Sequence, residues 1–226
     1  MFNDTWPWKR ELAECAARLR GAAIETAQED WPRGVGDDWE VESEAIFAIE
    51  RDVMVGSFAL RRLLGMPYKV TQSVRKRTVQ VTAFPLRSGR SAPDPMDALD
   101  AFDWYDLTQL TSHRITTQQM CNLFIHSHIL HFAWDLKDVR SEAQAGLEEG
   151  DVRLEGPVVL GGFFVATDTT SKTHLTRIDI DVLANSFQEM AEDDLVLLEV
   201  RSDSRGRRHL FRASGFLPND YPPDTL

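Results

Sequence analysis

The sequence predicts an α+β protein: an N-terminal, mainly helical bundle followed by a small antiparallel sheet with one helix. Two observations indicate this fold class. Most of residues 11–134 are rich in helix-forming residues with apolar side chains at helical spacing, whereas beyond residue 152 the apolar residues run continuously or alternate, as in strands. Because helical segments come first and strands afterwards, separate layers are expected rather than alternating βαβ units.

The first two helices are predicted from composition and from the residues that end them. Residues 11–28 are rich in Ala, Leu, Arg and Glu, and the Pro and Gly residues of the segment 31–36 end this helix. A second helix is expected from about residue 39 to residue 64, because Asp37 and Asp38 can cap its start. Its apolar residues cover most of its circumference, so we expect it to be the central helix.

The next elements are a short strand and two further helical segments. Residues 71–84 start with a helical turn, and their second half alternates with period two, which predicts a strand. Residues 96–110 are predicted to be a third helical element. Thr116 or Thr117 can then cap a strongly apolar helix that is expected to extend to about Trp134.

The change of pattern near residue 150 predicts a domain boundary. A charged segment with two glycines, residues 139–151, is the predicted linker between a helical bundle of residues 1–138 and a small sheet subdomain of residues 152–217. The proline-containing residues 218–226 are expected to form a loose tail.

Within the predicted subdomain, an apolar run at 158–168 and an alternating segment at 174–180 indicate strands, and residues 181–192 indicate a helix. Two apolar segments that flank residues 202–207 indicate a hairpin. Gly161 and its neighbour Gly162 lack the Lys-Ser/Thr ending of a phosphate loop, so we interpret them as a bulge or a close backbone approach.

The composition is that of a folded protein in a reducing compartment. The chain has 226 residues, of which 42% are hydrophobic, and six Trp with twelve Phe supply large groups to bury, which argues against disorder. No stretch approaches the ~20 apolar residues of a membrane span, and the first residues contain no secretory signal. Cys15 and Cys121 form no disulfide framework, so we expect buried, inert thiols and a cytoplasmic location.

Charge is segregated within the net −11. Residues 53–93 contain eight basic residues and no acid, whereas residues 25–52 are strongly acidic. A basic segment can neutralise phosphates, but the two blocks can also face each other and cancel. The candidate phosphate-binding residues are Lys69, Arg75, Lys76 and Arg77. A second basic cluster at residues 205–212 is interpreted in the same way.

Three histidines in the apolar helix suggest a metal site, but helical geometry argues against it. At ~100° per residue, His128 and His131 lie ~60° apart, whereas His126 points away from both. No single ion can take all three, and no metal or other cofactor is predicted. A site made by His128 and His131 with His113 or Asp135 stays open as an alternative.

Asn122 and His126 form a better candidate pair, because their spacing puts them on one face of the helix beside Gln119. The second helix carries a complementary polar stripe, with members seven, seven and four residues apart: Ser43, Glu50, Ser57 and Arg61. If the stripes meet, Glu50 could orient His126 and Arg61 could hold an anion.

The stretch from Cys121 to His126 resembles the motif of the HEPN superfamily, in which Arg and a polar residue precede His on the last long helix of a bundle. It is also similar to uncharacterised bacterial proteins with a Cys-Asn-x-x-Ile-His-Ser stretch. The resemblance covers residues 11–134 and implies a homodimer in a bacterial stress or defence system, with RNA as partner. Asn122 and His126 match the motif, but Cys121 replaces the arginine that stabilises charge on the scissile phosphate.

Three functions follow from these residues. The first is a non-catalytic interaction module that binds RNA or a protein, since the motif arginine is missing. The second is a metal-independent ribonuclease in which His126 acts as general acid/base, Asn122 positions the phosphate and Arg61 or the Lys69–Arg77 stretch replaces the arginine. The third is an acidic, antitoxin-like neutraliser of a basic partner that uses residues 25–52. We favour the interaction module, with the ribonuclease as the alternative and the neutraliser as a second alternative.

Overall fold

The computed structural model of the chain describes residues 5–26, 39–136 and 158–215. Its centre is a five-stranded antiparallel sheet in the order β2-β1-β5-β4-β3. The strands are β1 (Thr78–Pro85), β2 (Thr111–Thr116), β3 (Ser127–Leu136), β4 (Val158–Thr167) and β5 (His174–Asp179). A separate hairpin is formed by β6 (Leu197–Ser202) and β7 (Arg208–Ser214).

Helices cover one face of the five-stranded sheet. They are α1 (Trp6–Glu25), α2 (Trp39–Leu64), the short α3 (Gln72–Lys76), α4 (Thr117–Ile125) and α5 (Ile180–Glu192). Helices α1, α2, α4 and α5 share a large apolar core with β1, β4 and β5. An ion pair between Arg18 Nε and the buried Asp52 Oδ2, 2.7 Å long, joins α1 to α2. Burying this carboxylate is tolerated because the guanidinium pairs with it.

A second, smaller core lies on the other face of the sheet. A 3₁₀ helix (Asp97–Trp104) packs there against strand residues that include Phe84, Ile129 and Leu175. The fully buried Tyr105 donates its hydroxyl hydrogen to the carbonyl oxygen of Ser171 at 2.9 Å. Both faces are covered at β4, where neighbouring residues such as Val165 and Ala166 are both buried and simple alternation is lost.

Many elements agree with the sequence predictions. Helix α2 spans the predicted residues, α5 and β1 are where they were expected, and the β6–β7 hairpin turns at the predicted segment. The Gly pair also lies at a close approach: a Cβ on Gly161 would meet the Asp135 carboxylate, and one on Gly162 would lie 2.3 Å from the carbonyl oxygen of Ile178. The register of β3 and β4 shifts at this point, so the predicted bulge is confirmed.

The predicted arrangement of a helical bundle followed by a small sheet is wrong. Strand β3 pairs with β4, β1 pairs with β5, and α1 packs against α5, so chain segments from both sides of residues 139–151 build one sheet and one core. The boundary between 1–138 and 152–217 therefore does not separate two domains among the described residues. The predicted linker itself and the tail 218–226 lie outside them.

The largest error concerns the predicted helix that ends near Trp134. Helix α4 ends at Ile125, and the next residues form β3. Thr116 caps α4 as expected, in a capping box with Gln119. An apolar run rich in aromatic and β-branched residues suits a strand covered on both faces as well as a buried helix, and its periodicity does not distinguish the two.

Two further predictions need a smaller correction. The helical element predicted at residues 96–110 is present as the shorter 3₁₀ helix Asp97–Trp104, and β2 was not predicted at all. The side chains of β2 are mostly exposed because it is an edge strand, so its sequence carries no apolar alternation. Among the residues that the structure describes, no helix has both the length and the apolar character needed to cross a membrane.

Candidate functional site

An open cleft of about 530 Å³ separates the α2–α3 connection from the β6–β7 hairpin. Its lining includes Tyr68 on one side and Val200, Ser202 and Arg208 on the other. We call it the hairpin cleft. The lining combines an aromatic ring, an aliphatic surface, a hydroxyl group and a guanidinium group, so it can contact both a flat apolar group and an anion.

The wall that carries Tyr68 is anchored to the body of the protein. After α2 ends at Leu64, the chain turns, and the backbone N–H and the hydroxyl of Thr71 donate to the two carboxylate oxygens of Asp193 at 2.8 and 2.6 Å. Thr71 also caps α3 by accepting a hydrogen bond from the backbone N–H of Val74. Thr71 and Asp193 are both buried, so this link holds α3 in place next to β7.

The opposite wall is shaped by the turn of the hairpin. Gly206 has a φ of +76°, which non-glycine residues rarely adopt, and the Asp203 carboxylate accepts hydrogen bonds from the backbone N–H groups of Arg205 and Arg207. These backbone hydrogen bonds, with the side chains of His209 and Arg207, hold the pKa of the Asp203 carboxyl below its usual value. Ser202 pairs with Arg208 in the ladder, so both side chains lie on the face that lines the cleft.

The hairpin cleft lies between two basic segments that are far apart in the sequence. Lys69 follows Tyr68, and Arg75 and Lys76 lie on α3, which contacts β7. All three side chains are exposed, and within residues 5–26, 39–136 and 158–215 no carboxylate pairs with them. Arg77 differs, because it forms an ion pair with Glu189 of α5. Within the parts of the chain that the structure describes, an acidic partner is therefore present for Arg77 and not for Lys69, Arg75 or Lys76.

Arg61 and His126, two members of the predicted polar stripes, are in contact. Arg61 Nη1 donates to His126 Nε2 at 3.3 Å, and His126 is exposed. One helical turn before each of them, Ser57 Oγ and Asn122 Oδ1 are buried and have no hydrogen-bond partner among the described atoms. Helices α2 and α4 are therefore in polar contact at Arg61 and His126.

The rest of the predicted catalytic set is not brought together. Glu50 precedes Arg61 by eleven residues on the same helix, which is about 16 Å along its axis, too far for the Glu50 carboxylate to orient His126. The amide oxygen of Asn122 is buried, so it does not face solvent beside the exposed His126 ring. His126 itself ends α4 instead of lying within a long helix.

The other histidines have structural partners. On β3, His128 Nε2 lies 3.4 Å from the carbonyl oxygen of Pro93, and His131 Nε2 lies 2.8 Å from that of Ala98. His113 stacks on His174. Asp135 pairs with Arg177. No group of three metal-ligating side chains occurs in the described parts of the chain, so the alternative metal site has no ligand set there.

The described end of the acidic block and both cysteines contain buried groups. In the acidic block, Asp52 is buried against Arg18, and residues 27–38 lie outside the described residues. Burial raises the pKa of both Cys15 and Cys121 to about 12, so both remain thiols at neutral pH. The prediction that the cysteines are buried is confirmed.

Sequence reasoning did not identify Tyr68, Val200 and Ser202 as site residues. A signal for Tyr68 was present, because it is the one aromatic residue between Arg61 and Arg77 in the basic segment. Aromatic residues among cations are typical of single-stranded nucleic-acid binding. Comparison of the chain with protein-family models, with curated proteins and with solved structures yields no match, so the site must be interpreted from its own chemistry.

Proposed function

We propose that this protein is a non-catalytic module that binds single-stranded RNA in the hairpin cleft. One observation carries the proposal: two remote basic segments flank a cleft whose lining includes an exposed aromatic ring. Tyr68 can stack on an unpaired base, while Lys69, Arg75, Lys76 and Arg208 can contact phosphates on either side.

The overall charge of −11 fits this proposal only if binding is local. Phosphate contacts release counterions, so an interaction that uses a few cations depends strongly on salt concentration. Acidic surfaces elsewhere repel the rest of a long nucleic acid. The favoured ligand is therefore a short, unpaired stretch of RNA. The free thiols Cys15 and Cys121 are compatible with a reducing compartment, and we propose the cytoplasm.

The absence of catalysis is proposed from the surroundings of His126. Cleavage of RNA without a metal requires a base and an acid near the scissile phosphate. Arg61 can stabilise charge beside His126, but Glu50 lies a long way along α2 and the Asn122 oxygen is buried. Cys121, at the position of the family's arginine, is buried as an uncharged thiol.

Binding is tested by fluorescence anisotropy with a labelled single-stranded RNA of about 12 nucleotides, from about 50 to about 200 mM salt. We expect Tyr68→Ala to weaken binding about tenfold, because it removes one stacked base. The double variant Arg75→Glu with Lys76→Glu should weaken binding at least about tenfold and lower the salt slope by about 2.

The matched control is Lys172→Glu. Lys172 is exposed in a short 3₁₀ turn between β4 and β5, and the substitution makes the same charge change as one of the two α3 substitutions, away from the hairpin cleft. It should leave RNA affinity within about twofold of the unmodified protein. Equal losses for Lys172→Glu and the α3 double variant, or no binding to RNA at low salt, would overturn the proposal and favour a protein partner.

A second candidate function, a metal-independent ribonuclease, is favoured by the contact between Arg61 and His126. A guanidinium next to an exposed imidazole is a partial substitute for the arginine of the HEPN motif. This candidate expects RNA cleavage in the presence of EDTA that is lost in both His126→Ala and Arg61→Ala. Intact RNA after prolonged incubation with the unmodified protein excludes it.

A further inference from the structure

Two histidines from different strands lie against each other on one face of the five-stranded sheet. His113 of β2 and His174 of β5 have ring centres 6.1 Å apart, with 26° between the ring planes. Their strands pair with the two sides of β1, where Ala83 lies between the partners of the two histidines and faces the same way. The short side chain of Ala83 leaves room for the rings to meet across β1. We call His113 and His174 the histidine pair.

The hydrogen bonds around His174 fix which of its ring nitrogens carries the proton. The Thr173 hydroxyl donates its one hydrogen to the carbonyl oxygen of Thr170 at 3.1 Å. The same hydroxyl oxygen lies 2.8 Å from His174 Nδ1, so it accepts a hydrogen bond from an Nδ1–H group. Neutral His174 is therefore protonated at Nδ1, and its Nε2 keeps a lone pair for an external partner.

The turn that orients His174 is held in place by other elements. The carbonyl oxygen of Thr173 accepts a hydrogen bond from the backbone N–H of Leu86 at 2.9 Å. The buried hydroxyl of Tyr105 donates to the carbonyl oxygen of Ser171 in the same turn. The group that accepts the Nδ1–H of His174 is therefore anchored, as is typical of the groups that orient a metal-binding histidine.

His113 is the adaptable member of the histidine pair. It is exposed on the edge strand β2 and forms no hydrogen bond with the residues that the structure describes. Because a metal–imidazole bond is about 2.1 Å long, two imidazoles that share an ion have ring centres at most about 6.4 Å apart, and about 5.2 Å apart at a tetrahedral ion. The observed 6.1 Å lies within the first limit, and a shift of the exposed ring by about 1 Å reaches the second.

We infer that His113 and His174 together bind a divalent transition-metal ion of the Zn²⁺ type, with His174 as a ligand through Nε2. Imidazole nitrogen suits such ions, whereas Mg²⁺ and Ca²⁺ prefer oxygen ligands. Burial, and then the neighbouring His113, lower the pKa of His174, which favours the neutral ring that a metal ligand requires. Water fills the remaining coordination positions, so the ion exchanges more readily than in a structural site with four protein ligands.

The histidine pair differs from the candidate metal ligands that the sequence suggested. The Nε2 atoms of His128 and His131 lie next to backbone carbonyl oxygens, whereas that of His174 has no such partner among the described residues. Stacking of two imidazoles by itself requires no particular tautomer, but metal binding does. The inference does not depend on the RNA proposal, because neither histidine lines the hairpin cleft.

Metal binding is measured by isothermal titration calorimetry of the full chain with Zn²⁺ in a buffer that does not chelate metals. We expect a dissociation constant of about 100 µM or lower, unchanged by millimolar Mg²⁺. His113→Gln and His174→Gln should each weaken zinc binding about a hundredfold, because a single ligand remains. The control is His126→Gln, which removes an exposed imidazole that lies beside the Arg61 guanidinium and should change the affinity less than about twofold.

The role of the turn is tested by Thr173→Val, which keeps the shape of the side chain but removes the acceptor of the Nδ1–H. We expect about tenfold weaker zinc binding, since a ligand loses the group that orients it. Thr169→Val removes an exposed hydroxyl from the same connection and should leave zinc affinity unchanged. Equal losses for the two threonine variants would contradict the proposed orienting role. Far-UV circular dichroism of every variant shows whether the sheet stays folded.

Nuclear magnetic resonance of the histidine ring nitrogens tests the ligand atoms in the unmodified protein. Without metal, His174 should be the Nδ1–H tautomer, and Zn²⁺ should shift the Nε2 signal of His174 together with one ring nitrogen of His113. An Nε2–H tautomer of His174, or a shift of only one of the two rings, would overturn the inference. So would zinc affinity that stays the same in both His113→Gln and His174→Gln, or the lack of zinc binding below about 1 mM.

Discussion

The five-stranded sheet and the β6–β7 hairpin are both antiparallel, but they keep their shape by different means. The sheet has an apolar core on each face, and its strands contain fully buried residues such as Leu160, Val165 and Leu175. The hairpin exposes apolar side chains on both faces, including Leu198 and Phe211, and its geometry depends on the hydrogen bonds of Asp203 at the turn.

This difference assigns separate roles to the two regions. A two-stranded hairpin is marginally stable by itself, so its exposed residues contribute little to the free energy of unfolding. The residues of the hairpin that line the cleft are therefore available for binding. The sheet tolerates few changes because its interior is closely packed. Substitutions in the sheet should change stability, whereas substitutions in the hairpin should change binding.

The largest effect is expected at the contact between β4 and β5. Gly162→Ala places a Cβ 2.3 Å from the carbonyl oxygen of Ile178, and the backbone must move to relieve the clash. We expect a loss of about 3 kcal/mol in the free energy of unfolding, measured by urea denaturation.

The matched substitution in the hairpin is Gly206→Ala. Nothing lies within 4 Å of the added Cβ, and the cost comes from the φ of +76° alone. Gly206→Ala should lower the free energy of unfolding by about 1 kcal/mol. If Gly206→Ala destabilises the protein as much as Gly162→Ala does, the hairpin is not a separate, weakly coupled region.

The next largest effect is expected at the link between α3 and the body. Asp193→Ala removes the acceptor of both Thr71 hydrogen bonds and leaves a buried N–H without a partner. We expect a loss of about 2 kcal/mol in the free energy of unfolding, together with weaker RNA binding, because α3 and Tyr68 lose their anchor. The adjacent Asp194→Ala removes an exposed carboxylate and should change neither quantity.

A smaller effect on the free energy of unfolding is expected from pH, and it should come from His174 in strand β5 of the sheet. Burial, and then the neighbouring His113, lower the pKa of His174 from its usual 6.5. The unfolded chain therefore binds a proton at His174 at a higher pH than the folded protein does. As the pH falls below about 6.5, the free energy of unfolding should decrease, and the decrease should level off below the pKa of the folded state.

The measurement is the free energy of unfolding between about pH 7.5 and about pH 5, since histidine titrates in this range. His174→Gln should make this dependence shallower. An unchanged slope in the variant would assign the pH dependence to another group.

The smallest effect is expected in the hairpin. Leu198→Ala truncates a side chain that is 44% exposed, and we expect it to change the free energy of unfolding by about 0.5 kcal/mol or less. The same truncation at the fully buried Leu175 of β5 is the reference and should cost about 3 kcal/mol. Thermal or urea unfolding of both variants measures the difference. Similar losses at the two positions would remove the distinction between the regions.

The elements that could be predicted are those with strong local signals. The turn at Asp203 and Gly206 and the cap at Thr116 are specified by residues a few positions apart. The Gly pair marked a close approach, but its partner on β5 is distant in the sequence. Strand β3 could not be recognised, because a strand covered on both faces has the same apolar run as a buried helix. Its assignment depends on β4, a partner that is distant in the sequence.

Prediction of the site from the sequence is limited in the same way, because contacts between residues far apart in the chain cannot be inferred from local patterns. Helical spacing predicted which polar residues share a face on each helix, but it assigned Glu50 rather than Arg61 as the neighbour of His126. The hairpin cleft did not follow, since it requires that α3 and β7 lie side by side, and the Thr71–Asp193 link that achieves this joins residues far apart in the chain. The sequence shows both basic segments, but it does not show that they lie on either side of one cleft.

The pairing of β3 with β4 has a consequence for the integrity of the chain. These strands border residues 137–157 and are hydrogen-bonded from Ser127 through Leu136, while β1 and β5 form a second junction between the same two parts of the molecule. Either part alone would leave one side of each junction open. A single proteolytic cut between them should therefore yield two fragments that remain associated and separate only in denaturant.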